Sequence, residues 1–191
     1  MKKLNMGTLH YLISFILAGM FLSMNPGTLS GQAFRLNSVS DLERIFEDGY
    51  NMPALQDTIK IFGIRGEVVS GQCALQAKRD LADVTVVVSA LTEKKTGKIL
   101  PANDVEWNFV GSIPLSENTP NQPGRALVRK APARFPEYLM AEKQITVKEK
   151  SCKAIWLNIH IPETATSGIY SCDISVTSQQ GEVKLPLSLT V

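Results

Sequence analysis

An antiparallel β-sandwich is the fold class this sequence predicts, and three observations carry the prediction. Apolar and polar residues alternate with period two in successive short stretches between Thr58 and Val191. Those stretches are rich in Val, Ile and aromatic residues, and turn-forming Gly, Pro and Gln-Gly clusters separate them. No helical periodicity falls between the stretches, so strands must pack on strands. The clearest case lies at the end of the chain. There Ile155, Leu157, Ile159 and Ile161 form one apolar face, Tyr170, Cys172, Ile174 and Val176 a second, and Val183, Leu185, Leu187, Leu189 and Val191 a third. Each reads as a strand with one buried and one wet face, and the first two as the arms of a hairpin.

The chain has 191 residues and a formal charge of +2, with ordinary apolar content. This allows one domain with a core of normal size. Residues 1–33 have the pattern of a secretory signal peptide. Lys2 and Lys3 precede an apolar run from Leu9 to Leu22, and Gly31-Gln32-Ala33 places small residues before an expected cut at Ala33-Phe34. The run is shorter than the ~20 residues of a membrane span, so export to the periplasm or exterior is expected, with no stable span after removal of the signal. Removal would leave equal numbers of basic and acidic residues. Nothing then suggests nucleic-acid binding, which needs clustered excess positive charge.

Residues 34–57 read as a short helix and linker. Ser40-Asp41-Leu42-Glu43 has capping-box spacing, Leu42, Ile45 and Phe46 share a helical face, and Gly49 is a stop, which predicts a helix over Asp41–Asp48. Glu47 and Asp48 at its end read as solvated surface, because consecutive helix residues diverge. The sandwich itself is expected over 58–191, with about seven or eight strands in an immunoglobulin-like arrangement. Ile59 and Ile61 open it. Cys73, Leu75 and Ala77 continue it, and Val84, Val86 and Val88 follow, with Val87 suggesting that this strand is covered on both sides. Thr96-Gly97-Lys98 is a turn, and Val105, Trp107 and Phe109 form another inward set. From Gly111 to Pro136 five prolines and a basic cluster of Arg125, Arg129, Lys130 and Arg134 predict a long irregular connection. Its charges read either as a solvated loop or as a contact for an acidic partner or polymer.

Catalytic signatures are not found. His160 is the one histidine after the expected cut and sits on a polar strand face, so no metal site is expected, and no cofactor motif is present. Cys73, Cys152 and Cys172 permit at most one bridge. Burial as free thiols is the expectation, with Cys73–Cys172 the alternative pairing. Tyr170, two residues before Cys172, resembles the tyrosine corner of immunoglobulin strands and predicts a buried ring with a bonded hydroxyl.

Several motifs together carry a family resemblance. Arg65-Gly66-Glu67 with Gln72, then Asp80-Leu81-Ala82-Asp83-Val84, Gly97 to Val105, Phe135-Pro136-Glu137-Tyr138-Leu139, and Trp156 with Pro162, Ala165, Gly168 and Tyr170 occur in order. This series resembles the N-terminal β-sandwich domain of glycoside hydrolase family 123 and related secreted glycosidases, over roughly Thr58 to Val191. The resemblance implies a partner: a catalytic (β/α)-barrel, in the same or a neighbouring chain, that hydrolyses N-acetylgalactosaminides with an acid carboxyl and the substrate's acetamido group. The catalytic carboxylates belong to that barrel, so the resemblance assigns none here. The expected role is a non-catalytic accessory domain that braces the barrel, which should follow Val191 directly. The alternatives are a free-standing carbohydrate-binding module or an immunoglobulin-like interaction module. A glycan contact would fall to exposed rings, for which Trp156, Tyr138 and Phe135 are the candidates. Arg125, Arg129 and Arg134 are the candidate domain contacts.

Overall fold

The computed structural model describes residues 31–101, 104–121 and 123–191. The leader expected over residues 1–33 lies outside the described residues except for its last three. Twelve strands are present among the described residues: β1 (Phe34–Val39), β2 (Ile59–Phe62), β3 (Val68–Ala77), β4 (Leu81–Val88), β5 (Leu91–Glu93), β6 (Ile99–Leu100), β7 (Val105–Leu115), β8 (Ala133–Leu139), β9 (Ile145–Val147), β10 (Cys152–His160), β11 (Ile169–Ser178) and β12 (Gly181–Thr190). They form two sheets. The first has the order β1-β3-β10-β7-β8, and the second β2-β12-β11-β4-β9 with β5 and β6 added beside β11.

The predicted all-β sandwich is therefore present, and the alternation in the sequence selects its inner faces. Cys73, Leu75, Phe109, Ile155, Leu157 and Ile159 point inward from the first sheet and are essentially solvent-free. Leu81, Val84, Tyr170, Ile174, Val176, Leu185, Leu187 and Leu189 meet them from the second. Each such side chain contributes about 1.5–3 kcal/mol relative to exposure, which is why period-two patterning is decisive.

Several expectations need correction. The three C-terminal strands do not lie in one sheet. β11 and β12 form a hairpin through Gln179-Gln180-Gly181, but β10 belongs to the other sheet, paired with β3 and β7. The connection from Ile161 to Gly168 crosses between layers, so Cys152 and Cys172 do not flank a hairpin. The sheets are not wholly antiparallel either, because β2 pairs parallel with β12. Pro186 fits within β12 because that pairing begins one residue later, at Leu187, and no ladder bond is lost on that side. Val87 is exposed, so β4 is covered on one face only. The irregular stretch after Gly111 is shorter than expected. β7 and β8 pair as far as Leu115 and Ala133, and one 3-10 turn, Gly124–Ala126, interrupts the remaining loop.

The helix expected over Asp41–Asp48 is absent, and residues 34–57 contribute β1 to the first sheet instead. The cause is competition for backbone acceptors. The Gln72 side-chain amide donates to the carbonyls of Ser40 and Glu43, and the Cys152 N–H donates to the carbonyl of Glu47. Two of those carbonyls would have accepted the first i+4 bonds of the helix. Ser40 does bond back, to the Leu42 N–H, but as a tight turn rather than a helix cap.

Candidate functional site

Segment 40–52 runs across the outer face of the first sheet and builds a second small core there. Ile45 packs with Val39, Ala74, Cys152 and Ala154, all buried, and Met52 and Val110 close the cluster. Beside it, Phe46 meets Tyr50 and Phe135 edge to face, with centroids 5.6 and 5.5 Å away. Ile45 and Phe46 are both buried, but Leu42, which a helix would place on the same face, is 90% exposed.

Ion pairs fasten this segment down. Glu47 receives Lys153 Nζ at 2.6 Å and Arg134 Nε at 3.2 Å. Burial pushes the Glu47 carboxyl up, but the bonds from Lys153 and Arg134 outweigh it and hold the group below the usual carboxylate range. Asp48 takes both arms of the Arg129 guanidinium, which chiefly accounts for its lowered pKa. The same guanidinium lies over the rings of Phe46 and Tyr50, 4.9 and 4.5 Å from their centroids. Arg134 also donates to the Ser112 carbonyl at 2.6 Å. Two of the predicted domain-contact residues, Arg129 and Arg134, are thus spent inside the molecule, while Arg125 is exposed on the 3-10 turn and makes none of these contacts. Glu47 and Asp48, read from sequence as a solvated face, are the acceptors. The missed signal was a balance of charge: two adjacent acids and two separate basic residues, Arg129 and Arg134, in the Pro-rich loop and the strand after it.

Between segment 40–45 and strands β7, β8 and β10 an open cleft of about 510 Å³ remains. Trp156 forms part of its floor, half-buried, with Nε1 donating to Asn158 Oδ1 at 3.0 Å. Leu42 and Leu139 stand exposed beside it, and Arg44 bridges the cleft by pairing with Glu137. The carboxylates around it, Asp41, Glu43 and Glu137, are all exposed to water.

The structure does not assemble the three predicted rings into one platform. Tyr138 borders the cleft, but it pairs with Gly111, and its ring occupies the space that a Gly111 side chain would need. Gly111 shares the face of Phe109, whereas Trp156 pairs with Asn108 on the opposite face. Phe135 packs on Phe46. Of the three, Trp156 and Tyr138 line the cleft and Phe135 does not.

The remaining singled-out residues have structural roles. Tyr170 is buried and its hydroxyl donates to the Thr166 carbonyl at 2.8 Å, as expected. Gly168 is required for space: a Cβ there would sit 2.7 Å from Glu93 Oε1. Glu93 is a buried acid that the sequence did not flag. Its other oxygen accepts from the Lys95 and Thr96 N–H groups and the Thr96 hydroxyl, and those bonds, led by Thr96, lower its pKa. The three cysteines are unpaired and buried, and desolvation pushes the thiols of Cys73 and Cys172 up to about 12. His160 is exposed, 3.9 Å from Glu106, and no group of metal-ligating residues occurs among the described residues. No helix among them is long and apolar enough to cross a membrane.

Comparison with known proteins gives these observations a frame. The family model for the glycoside hydrolase 123 N-terminal domain matches residues 47–178. Among solved structures, a family 123 glycoside hydrolase from Clostridium perfringens, described as hydrolysing glycolipid glycans, superimposes with a TM-score of 0.66 at 16% identity. The match covers 83% of this chain and 27% of that enzyme, so this chain spans about a quarter of the enzyme's length. Weaker likenesses include a PapD-like domain of human CEP192 (TM-score 0.41, 7% identity, 83% of this chain and 84% of that one) and the CooA pilin of enterotoxigenic Escherichia coli (0.39, 15%, 81% and 95%). No curated protein matches. With a family model spanning most of the sandwich and the same fold in an enzyme of that family, this chain belongs to the glycoside hydrolase 123 N-terminal domain family.

Proposed function

We propose that this chain is the accessory sandwich of an exported glycosidase acting on N-acetylgalactosaminides, and that it braces a catalytic barrel rather than performing chemistry. The observation that carries this reading is the family match over residues 47–178. Two features support it. The cleft is open and its carboxylates are water-exposed, unlike the enclosed carboxyl pair that glycoside hydrolysis uses. The ion pairs of segment 40–52 serve rigidity, which suits a support. All described strands follow the expected cut at Ala33-Phe34, which would remove Ala33, a core residue whose carbonyl accepts from the Lys78 N–H. A carbohydrate-binding role is less favoured, because Trp156 and Tyr138 face opposite sides of the sheet.

The test is to express the sandwich alone and within the full polypeptide that contains it. The sandwich alone should release no product from an aryl N-acetylgalactosaminide. The longer polypeptide should hydrolyse it and melt at a lower temperature once the sandwich is removed. Turnover by the sandwich alone, lost on mutating one of its acids, would refute the reading.

A further inference from the structure

One end of the sandwich carries apolar side chains that no element among the described residues covers. Phe62, at the end of β2, is 83% exposed, and Ile64 in the following turn is 73% exposed. Ile169, also exposed, stands at the start of β11. The strand register explains their grouping. Phe62 pairs with Thr190, and Thr190 with Ile169, so the three share one row. The next row, Ile61, Leu189 and Tyr170, faces the core, which turns Phe62 and Ile169 outward.

The patch is held rigidly. Ile64 and Glu67 are the corners of a tight turn: Glu67 N–H donates to the Ile64 carbonyl at 3.2 Å, and Glu67 Oε2 accepts from the Ile64 N–H at 2.9 Å. Gly66 has φ +81°, as the third position of a type II turn requires. The Gly66 N–H is bound to the Ile161 carbonyl, the Ile161 N–H to the Glu67 carbonyl, and the Gly63 N–H to the Thr190 carbonyl. The Arg65-Gly66-Glu67 motif thus builds a fixed pedestal for an exposed isoleucine. Preorganised apolar groups of this kind lose little entropy on being covered, and clustered exposure of this kind marks interaction sites.

We infer that this end of the sandwich, centred on Phe62 and Ile64, is the face that docks the catalytic domain of the same polypeptide. The inference rests on the accessory-domain reading above and names its contact surface. The occupant follows from position. In an N-terminal domain the polypeptide leaves the sandwich from β12, and the Gly63–Thr190 bond places the patch beside that exit. The relative from Clostridium perfringens has about three-quarters of its chain outside the match. A tethered neighbour meets the patch at high effective concentration, so a modest contact suffices. Phe62 alone offers roughly 200 Å², toward the 600–1,500 Å² of inter-domain contacts. The basic loop lies elsewhere. β7 runs from Val105, opposite Ile159 at this end, to Leu115 at the loop, ~30 Å away at strand rise.

Hydrogen exchange on this chain and on the full polypeptide that contains it tests the proposal. Amides of residues 61–69 and 168–171 should slow by about tenfold or more in the full polypeptide. Phe62→Ser with Ile64→Ser should abolish that slowing, while the melting temperature of this chain alone stays within about 2 °C of the parent. A full polypeptide that hydrolyses aryl N-acetylgalactosaminides but shows its new protection at Leu42, Leu139 and Trp156, or none, overturns the docking face and leaves the accessory reading standing. A full polypeptide without glycosidase activity removes both.

Discussion

Replacing Glu47 by Gln should destabilise the sandwich by about 2 kcal/mol, although Glu47 lies in a segment with no regular secondary structure. The magnitude follows from what the carboxylate holds. Its partner Lys153 is only 12% exposed, and in Glu47→Gln its ammonium keeps neutral acceptors only, the Gln amide oxygen and the Val110 carbonyl at 3.3 Å. A charge buried to that degree and left without its counter-charge costs several kcal/mol in a fully dry site. Partial exposure of Glu47 and the surviving Val110 bond bring the figure down. Glu137→Gln is the control: its pair with Arg44 is 45% and 40% exposed, and such pairs contribute under about 1 kcal/mol. Thermal unfolding should therefore show Glu47→Gln lower by about 4–8 °C, and Glu137→Gln by no more than about 2 °C. Lys153→Met combined with Glu47→Gln should lose less than the sum of the single changes, because the stranded charge is gone. Equal shifts for Glu47→Gln and Glu137→Gln, or strict additivity with Lys153→Met, would refute the view that these ion pairs fasten the segment.

Further outcomes follow from the same geometry. Glu47 and Asp48 have lowered folded pKa values, so their contribution is complete above the ordinary carboxylate values and is lost as pH falls through the folded ones. Below about pH 4 the parent should lose stability more steeply than Glu47→Gln in denaturant titrations, and parallel curves would contradict this. Tyr170→Phe should cost about 1 kcal/mol, since water can reach the half-exposed Thr166, and Tyr170→Ala about 3–5 kcal/mol by the same assay. Gly111→Ala should destabilise the β7–β8 pair by forcing the Tyr138 ring out of its seat, and Tyr138→Ala should restore most of the loss; no rescue would mean that the ring is not the obstacle. A thiol reagent at pH 8 should leave the native chain essentially unlabelled and label all three cysteines in denaturant, whereas rapid native labelling would contradict their burial.

The sandwich was legible because its signal is local. Alternation at Ile155-Trp156-Leu157 or Leu187-Ser188-Leu189 reports one buried face whatever the partner strand is. Partner choice is not local. Nothing within residues 152–178 says that β10 and β11 part into different sheets, because both arms face the same core. The helix expected at Asp41 failed for a similar reason: its capping box is genuine as a sequence, but Gln72, some thirty positions downstream, takes the carbonyls it needs. Among the candidate site residues, Trp156 was correctly placed on an outward face. Tyr138 could not be, because the register shift after Gly111 decides its side. The ion pairs of Glu47 with Lys153 and Arg134 join residues about a hundred positions apart in sequence, and no motif encodes them.

The central claim is that this family 123 N-terminal sandwich supports a glycosidase without supplying its chemistry. The most direct measurement is the rate of aryl N-acetylgalactosaminide hydrolysis by this chain and by the full polypeptide that contains it. The account predicts no turnover above buffer for this chain and clear turnover for the longer product. Hydrolysis by this chain alone, or a longer product without activity, would contradict it.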